Sequence, residues 1–257
     1  SGLWLLYTYG RELPDYQQLA HYEPPTVTRV HAGDGRLLAE YAREKRIFVP
    51  VSAMPVRVVR AFLSAEDKNF FSHGGINLLS VVRAAVTNLL NLVKRRRPVG
   101  ASTITQQVAK NFLLSNELSL ERKIKEAILA LRIERAFSKE QILELYLNEI
   151  YLGFGSYSVA AAALNYFNKP LDELSLAEAA YLAALPKAPN NYHPIRRYQA
   201  AKGRRDWVIG RLREDGHISP EEAAQAQAQR LVIRPRSETE FVTAPFFAEE
   251  VRRYLIR

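Results

Sequence analysis

Three clusters hold the side chains that could do chemistry. In the first, Glu66-Asp67-Lys68-Asn69-Phe70-Phe71-Ser72-His73-Gly74-Gly75, two adjacent carboxylates precede aromatics, a histidine and paired glycines. An ionised carboxylate can take a proton from a sugar hydroxyl, and two close carboxylates repel one another. Ser64 to Asp67 has the composition of a helix start, where the positive dipole end favours an ionised acid. The paired glycines permit close approach of a ligand. The plainer alternative is that Glu66 and Asp67 only cap and charge-complement a helix.

The second cluster, Gly100 to Asn111, gathers Ser102, Thr103, Thr105, Gln106 and Gln107, with Lys110 about one helical turn after Gln106. Such hydroxyls, amides and a cation suit sugar hydroxyls and phosphate oxygens; a polar helix N-terminus would look the same. The pattern is not a nucleotide P-loop, because Gly-x-x-x-x-Gly-Lys is absent. In the third cluster, Arg122, Lys123 and Glu126 share a helix surface by i,i+4 and i,i+3 spacing. They read either as surface ion pairs of small value or as a carboxylate fixing two cations toward an anionic leaving group.

Composition narrows the classes. The 257 residues are 47% hydrophobic and carry a net charge of +9, so a large core and an anionic partner are both expected. The absence of cysteine excludes disulfides, thiolate metal sites and a cysteine nucleophile. The five histidines are scattered and predict no zinc site.

The elements that must position the clusters are mostly helical. Apolar periodicity begins beside capping signals at Ser64, Ser138 with Gln141, Ser175 with Glu178, and Ser219-Pro220 with Glu222; Pro186 stops the third of these helices. Residues 23–51 read as a small β element, with strands around Thr26–Val30, Leu37–Tyr41 and Ile47–Val49 and a turn at Asp34-Gly35. The apolar run Leu78 to Val93 ends in Lys94-Arg95-Arg96-Arg97. It is either a core helix with a solvated basic end or an amphipathic segment that enters a bilayer. The apolar, aromatic start Leu3 to Tyr9 is either a buried first turn or the outer end of a membrane anchor.

Taken in order, the clusters resemble the motifs of family 51 glycosyltransferases, the transglycosylase domains of class A penicillin-binding proteins. The matching runs are Glu66-Asp67-x-x-Phe70-x-x-His73-x-Gly75, Gly100-x-Ser102-Thr103-Ile104-Thr105-Gln106-Gln107-x-x-Lys110-Asn111, Arg122-Lys123-x-x-Glu126, Ile142 to Gly153, and Leu182 to Pro189. The resemblance covers roughly residues 50 to 215; Ala101 and His193 depart from it locally. It implies a mainly α, lysozyme-like, two-lobed fold with a small N-terminal β element. The expected organisation is a membrane-proximal segment (1–22), the β linker (23–51) and the glycosyltransferase domain (52–235). Residues 76–100 fall in or near a membrane-facing small lobe, and 236–257 form a connector toward a transpeptidase domain.

The implied reaction polymerises lipid II onto a growing glycan strand with inversion, losing undecaprenyl pyrophosphate. Glu66 is then the general base. Glu126, the second catalytic carboxylate, positions cations or helps hold a divalent ion on the pyrophosphate. Lys110, Arg122 and Lys123 face the pyrophosphate. Asp67, Phe70, His73, Gly75, Ser102, Thr103, Gln106, Gln107 and Asn111 shape or bind the substrate. No cofactor is obligatory, although a divalent cation such as Mg2+ is allowed at the pyrophosphate. The expected location is the outer face of the bacterial cytoplasmic membrane, with a single-pass anchor. Two alternatives stand beside this reading: a lysozyme-like lytic hydrolase using a Glu as acid, and a non-enzymatic basic module that binds nucleic acid.

Overall fold

Capping chemistry and apolar spacing place most of the helices where the sequence suggests them. A computed structural model of the protein describes residues 13–21, 28–31, 37–41, 45–93, 102–114 and 119–234. Nine α-helices dominate these residues: α1 (Val56–Glu66), α2 (Leu78–Val93), α3 (Ile104–Leu113), α4 (Leu120–Ala136), α5 (Lys139–Glu149), α6 (Val159–Phe167), α7 (Leu176–Ala184), α8 (Tyr198–Glu214) and α9 (Pro220–Ala228). Reciprocal capping boxes open α3 (Thr103 with Gln106), α5 (Ser138 with Gln141), α7 (Ser175 with Glu178) and α9 (Ser219 with Glu222). Each satisfies two backbone N–H groups that a helix start otherwise leaves unpaired.

The core forms around α7. Its Ala177, Ala179, Ala180, Tyr181, Leu182, Ala183 and Ala184 are all buried. Small side chains let α1 and α8 pack closely on this helix. Tyr166, Phe167 and Tyr181 meet at ring-centroid distances of 5.6 to 6.3 Å beside it. A second packing unit sets α3 against α4 and α5, burying Ile104, Val108, Leu129, Ile133, Ile142 and Leu143. Each fully buried large side chain contributes roughly 1.5–3 kcal/mol of transfer free energy.

Two local expectations are overturned. No helix starts at Ser64. Helix α1 begins at Val56, after Pro55 in extended backbone, and Ser64 lies buried in its last turn. Proline fixes φ near the helical value and removes a donor that would be unpaired anyway, so the Pro55-Val56 step outweighs the Ser64 signal. In the β element, β1 (Thr28–His31) and β2 (Leu37–Tyr41) pair antiparallel with an irregularity between Val30 and His31. The third strand is displaced from Ile47–Val49 to β3 (Lys45–Arg46), which pairs parallel with β4 (Ser156–Tyr157). Residues 47–49 are instead held by side chains: Ser158 Oγ accepts the Ile47 N–H, and Asn148 brackets Val49 through both its N–H and its carbonyl. The turn at Asp34-Gly35, the basic run 94–97 and both chain ends lie outside the described residues.

Helix α2 is a helix, as the apolar run suggests, but it is not a core helix. Leu78, Leu79, Val82, Val86, Leu89 and Leu90 are all exposed, Leu79 by 81%. Among the hydrophobic residues whose burial is described, only Ala84 is buried, and the helix packs only slightly on the rest of the described fold. The helix stands beside a body that is otherwise well packed.

Candidate active site

The first cluster straddles the end of α1. Glu66 is its last residue and Asp67 its C-cap, so the dipole argument reverses: the negative helix end disfavours an ionised acid there. Burial pushes the Glu66 carboxyl up from its usual range. Opposing this, Gln107 Nε2 donates to Glu66 Oε2 at 2.9 Å, and the charges of Arg204 and Lys187 lower it, while Asp67 raises it further. The result is a carboxyl whose proton affinity burial raises and a hydrogen bond and two cations moderate.

Asp67 turns away from that role. It is buried and ties two elements together. Its Oδ2 accepts the Ile104 N–H at 3.1 Å, at the first turn of α3, and both its oxygens lie 2.9–3.0 Å from His73 Nε2. His73 Nδ1 accepts the Gly75 N–H at 3.2 Å, which assigns the ring proton to Nε2, facing Asp67. Phe70 is fully buried and packs edge-on against Phe71 and His73, with Lys139 Nζ 4.3 Å from its ring centre.

Gly75 has φ +91, and a Cβ there would meet the Ala130 carbonyl oxygen at 2.9 Å. The close approach that glycine permits here is therefore to the backbone of α4. Thr103 Oγ1 donates to the Gly75 carbonyl at 2.6 Å. The same Thr103 and Gln106 form the capping box of α3, so the hydroxyl–amide pattern of the second cluster is in part helix-start chemistry. Thr105 Oγ1 donates to Glu134 Oε1 at 2.5 Å, and Lys139 Nζ also donates to Glu134 and to the His73 carbonyl, each at 2.7 Å. Lys110 is partly buried in the last turn of α3, and Asn111 after it is exposed.

The third cluster is not a set of surface pairs. Glu126 is buried, with 2% exposure, and receives a short charge-assisted hydrogen bond from Lys123 Nζ. The same ammonium donates to Ser102 Oγ at 2.8 Å. Lys123 is thus aimed by an acid below it and a hydroxyl beside it, while its own side chain is 45% exposed. Arg122 keeps a buried Nε with no hydrogen-bond partner among the described residues.

Helix α3 joins the two centres. Gln107 on it reaches Glu66, and Ser102 just before it reaches Lys123. The structure also adds residues to which sequence reasoning gave no role. Lys187 follows α7, and Arg204 on α8 lies within electrostatic reach of both Glu66 and Lys187. Tyr146 on α5 is buried, with a hydroxyl that has no partner among the described residues, and the nearby charges of Glu66 and Asp67 add to burial in raising its pKa. Helical spacing with Val208, Ile209 and Leu212 puts Arg205, not Arg204, on the buried face of α8, so the sequence carried no local signal for Arg204.

The body that carries this desolvated acid and the cations in its field is mainly α. Residues 34–213 match the family model described as "Transglycosylase", and the chain belongs to that family. The match begins inside the β element rather than at residue 50. Penicillin-binding protein 1A of Rickettsia felis is 55% identical over 254 residues, which cover 99% of this chain and 32% of that protein. The Escherichia coli K12 protein of the same name is 39% identical over 98% of this chain and 30% of its own length. The crystal structure of Penicillin-binding protein 1A from Haemophilus influenzae superposes with a TM-score of 0.53 at 28% identity, covering 92% of this chain and 25% of that one. The chain spans about a third of the curated relatives it matches.

Proposed function

We propose that this transglycosylase domain polymerises lipid II into peptidoglycan strands by inverting transfer. The observation that carries the reading is the pairing of two centres through α3: Glu66 held by Gln107, and Lys123 held by Glu126 and Ser102. Glu66 takes the proton from the 4-hydroxyl of the incoming GlcNAc as that oxygen attacks C1 of MurNAc. The C1–O bond to undecaprenyl pyrophosphate breaks as the new bond forms, so the anomeric centre inverts without a covalent intermediate. A base whose proton affinity is raised toward the working pH is best matched to this transfer.

Negative charge grows on the departing pyrophosphate. Lys123 is pre-aimed for it and Glu126 keeps it aimed, so little reorganisation is needed as the bond breaks. Arg122 and Lys110 belong to the same cationic set. Asp67, Phe70, His73 and Gly75 hold the acid's segment against α3 and α4; Ser102, Gln107 and Asn111 are assigned to substrate contact, and Thr103 and Gln106, the capping pair of α3, to the geometry of that helix. No cofactor is obligatory, and a divalent cation such as Mg2+ can share the pyrophosphate charge.

The exposed apolar face of α2 supports a membrane-facing lobe. No described helix is long and apolar enough to cross a membrane, so the single-pass anchor, the place at the outer face of the cytoplasmic membrane and the tethered transpeptidase domain are parts of the proposal. The lytic-hydrolase reading is disfavoured by the aimed Lys123, for which a hydrolase has no leaving pyrophosphate. A lipid-linked disaccharide precursor supplied to the protein tests the choice: growth of glycan polymer is expected, and cleavage of finished glycan without polymer would overturn it.

A further inference from the structure

Thr105, Glu134 and Lys139 have no part in the proposed chemistry, yet they close a ring of contacts that begins and ends at Glu66. Gln107 Nε2 donates to Glu66 Oε2 at 2.9 Å. Two residues earlier on α3, Thr105 Oγ1 donates to Glu134 Oε1, in the last turn of α4, at 2.5 Å. The same oxygen accepts from Lys139 Nζ at 2.7 Å. Lys139, the first residue of α5, also donates to the His73 carbonyl at 2.7 Å. His73 Nε2 lies 2.9 Å from Asp67 Oδ2, and Asp67 follows Glu66 in the chain. Every link of the ring is a hydrogen bond or a few residues of backbone. Positions two apart on a helix differ by about 200°, so Gln107 and Thr105 hold α3 from opposite sides.

The first position of a helix meets the positive dipole end, a poor place for a cation. Lys139 is kept there by Glu134, by the His73 carbonyl and by the Phe70 ring, whose centre lies 4.3 Å from Nζ. The Lys139 and Glu134 side chains are only 18% and 8% exposed. Taking such a pair out of water offsets most of the attraction it gains, so it adds little net stability; what it adds is a fixed direction. Gly75 makes room for it, because a Cβ there would press on Glu134 Cγ at 3.0 Å. We infer that Glu134 and Lys139 are positioning residues for Glu66. The pair ties α3 to the 73–75 turn and so sets the spacing at which Gln107 meets the carboxylate. This deepens the proposed function and rests on the assignment of Glu66 as base.

The test is the steady-state kinetics of polymerisation by the chain on a lipid-linked disaccharide. Thr105→Val keeps the volume and removes the hydroxyl that ties α3 to Glu134. It lowers kcat by about tenfold while KM changes by less than about twofold, because a displaced catalytic group is felt in the transition state. Thr105→Ser keeps the hydroxyl and holds kcat within about threefold of the parent. Lys139→Met also lowers kcat, and on a Gln107→Ala background it adds little further loss, since both changes act through one contact. An unchanged kcat in Thr105→Val, an equal loss in the valine and serine variants, or a Lys139→Met loss that multiplies with that of Gln107→Ala makes the pair a packing feature and overturns the inference. Should Lys139→Met fail to fold because Glu134 is left unpaired, the two Thr105 variants decide alone. Glu66→Gln separates the two layers. If that variant still polymerises, the base assignment falls and this inference with it; if it is inactive while Thr105→Val turns over like the parent, only the role of the Glu134–Lys139 pair falls.

Discussion

At the scale of single residues, Glu66 carries the main tension in the molecule. It is desolvated, at the unfavourable end of α1, and beside a second acid, yet hydrogen-bonded to Gln107. Glu66→Gln keeps the shape and removes the basicity, so a gel assay of polymer is expected to show activity reduced by at least about a hundredfold. The same variant is expected to melt higher than the parent near neutral pH, by an amount corresponding to about 0.5–2 kcal/mol, as sites shaped for activity often trade stability. The sign follows from the raised pKa. A carboxyl whose folded-state value is raised stabilises the fold only below its unfolded value, and that contribution is lost as pH rises through the folded value. Calorimetry of the two proteins side by side checks it; a lower melting temperature for the variant would show that the ionised acid is stabilising.

Glu149 follows the same rule, with its carboxyl pushed up to about 7 by burial. Its contribution to stability is therefore lost as pH rises through about 7, and Glu149→Gln is expected to flatten the melting-temperature profile there. Gly75 gives a prediction of a different kind. Its φ of +91 and the 2.9 Å approach of a Cβ to the Ala130 carbonyl mean that alanine meets backbone, which cannot swing aside. Gly75→Ala is expected to cost about 1–3 kcal/mol in denaturant unfolding.

At the scale of elements, α3 is the organiser, and Asp67 is what locks it to α1. One carboxylate takes the Ile104 N–H at the helix start and the His73 ring proton. Asp67→Asn can satisfy only part of this set, because its amide nitrogen is a donor where two donors already point. The expected result is a loss of about 1–3 kcal/mol together with a drop in kcat, since the same contacts set where Gln107 meets Glu66. Retained stability and rate would show that the lock is dispensable. The element boundaries also explain why the acid's dipole environment was misread from sequence. Ser64-Ala65-Glu66-Asp67 has capping composition, but the apolar face that defines the helix lies ahead of it, at Val58, Ala61 and Phe62. Local composition names the residues; only packing decides on which side of them the helix runs.

At the scale of the whole molecule, a packed helical body and one poorly packed apolar helix share a chain of net charge +9. Leu79, Val82, Val86 and Leu89 are exposed by 57% or more. Replacing Leu79 and Leu89 with serine should therefore leave the melting temperature nearly unchanged while weakening binding to anionic vesicles by roughly tenfold. A large thermal loss with unchanged vesicle binding would return the helix to a structural role.

Much of this was legible in the sequence by itself. The mainly α class, the capping boxes at Ser138, Ser175 and Ser219 and the residues of the three clusters follow from composition and spacing, because helix caps and apolar periodicity act within a few residues of one another. The tertiary structure decided which of those residues meet. It buried Glu126 beneath Lys123, tied Asp67 to the start of α3 and to His73, exposed the apolar face of α2, and brought Arg204 from a distant helix into the field of Glu66. Burial and charge contact depend on which faces of separate helices pack together, and that is a property of the assembled core rather than of any stretch of sequence.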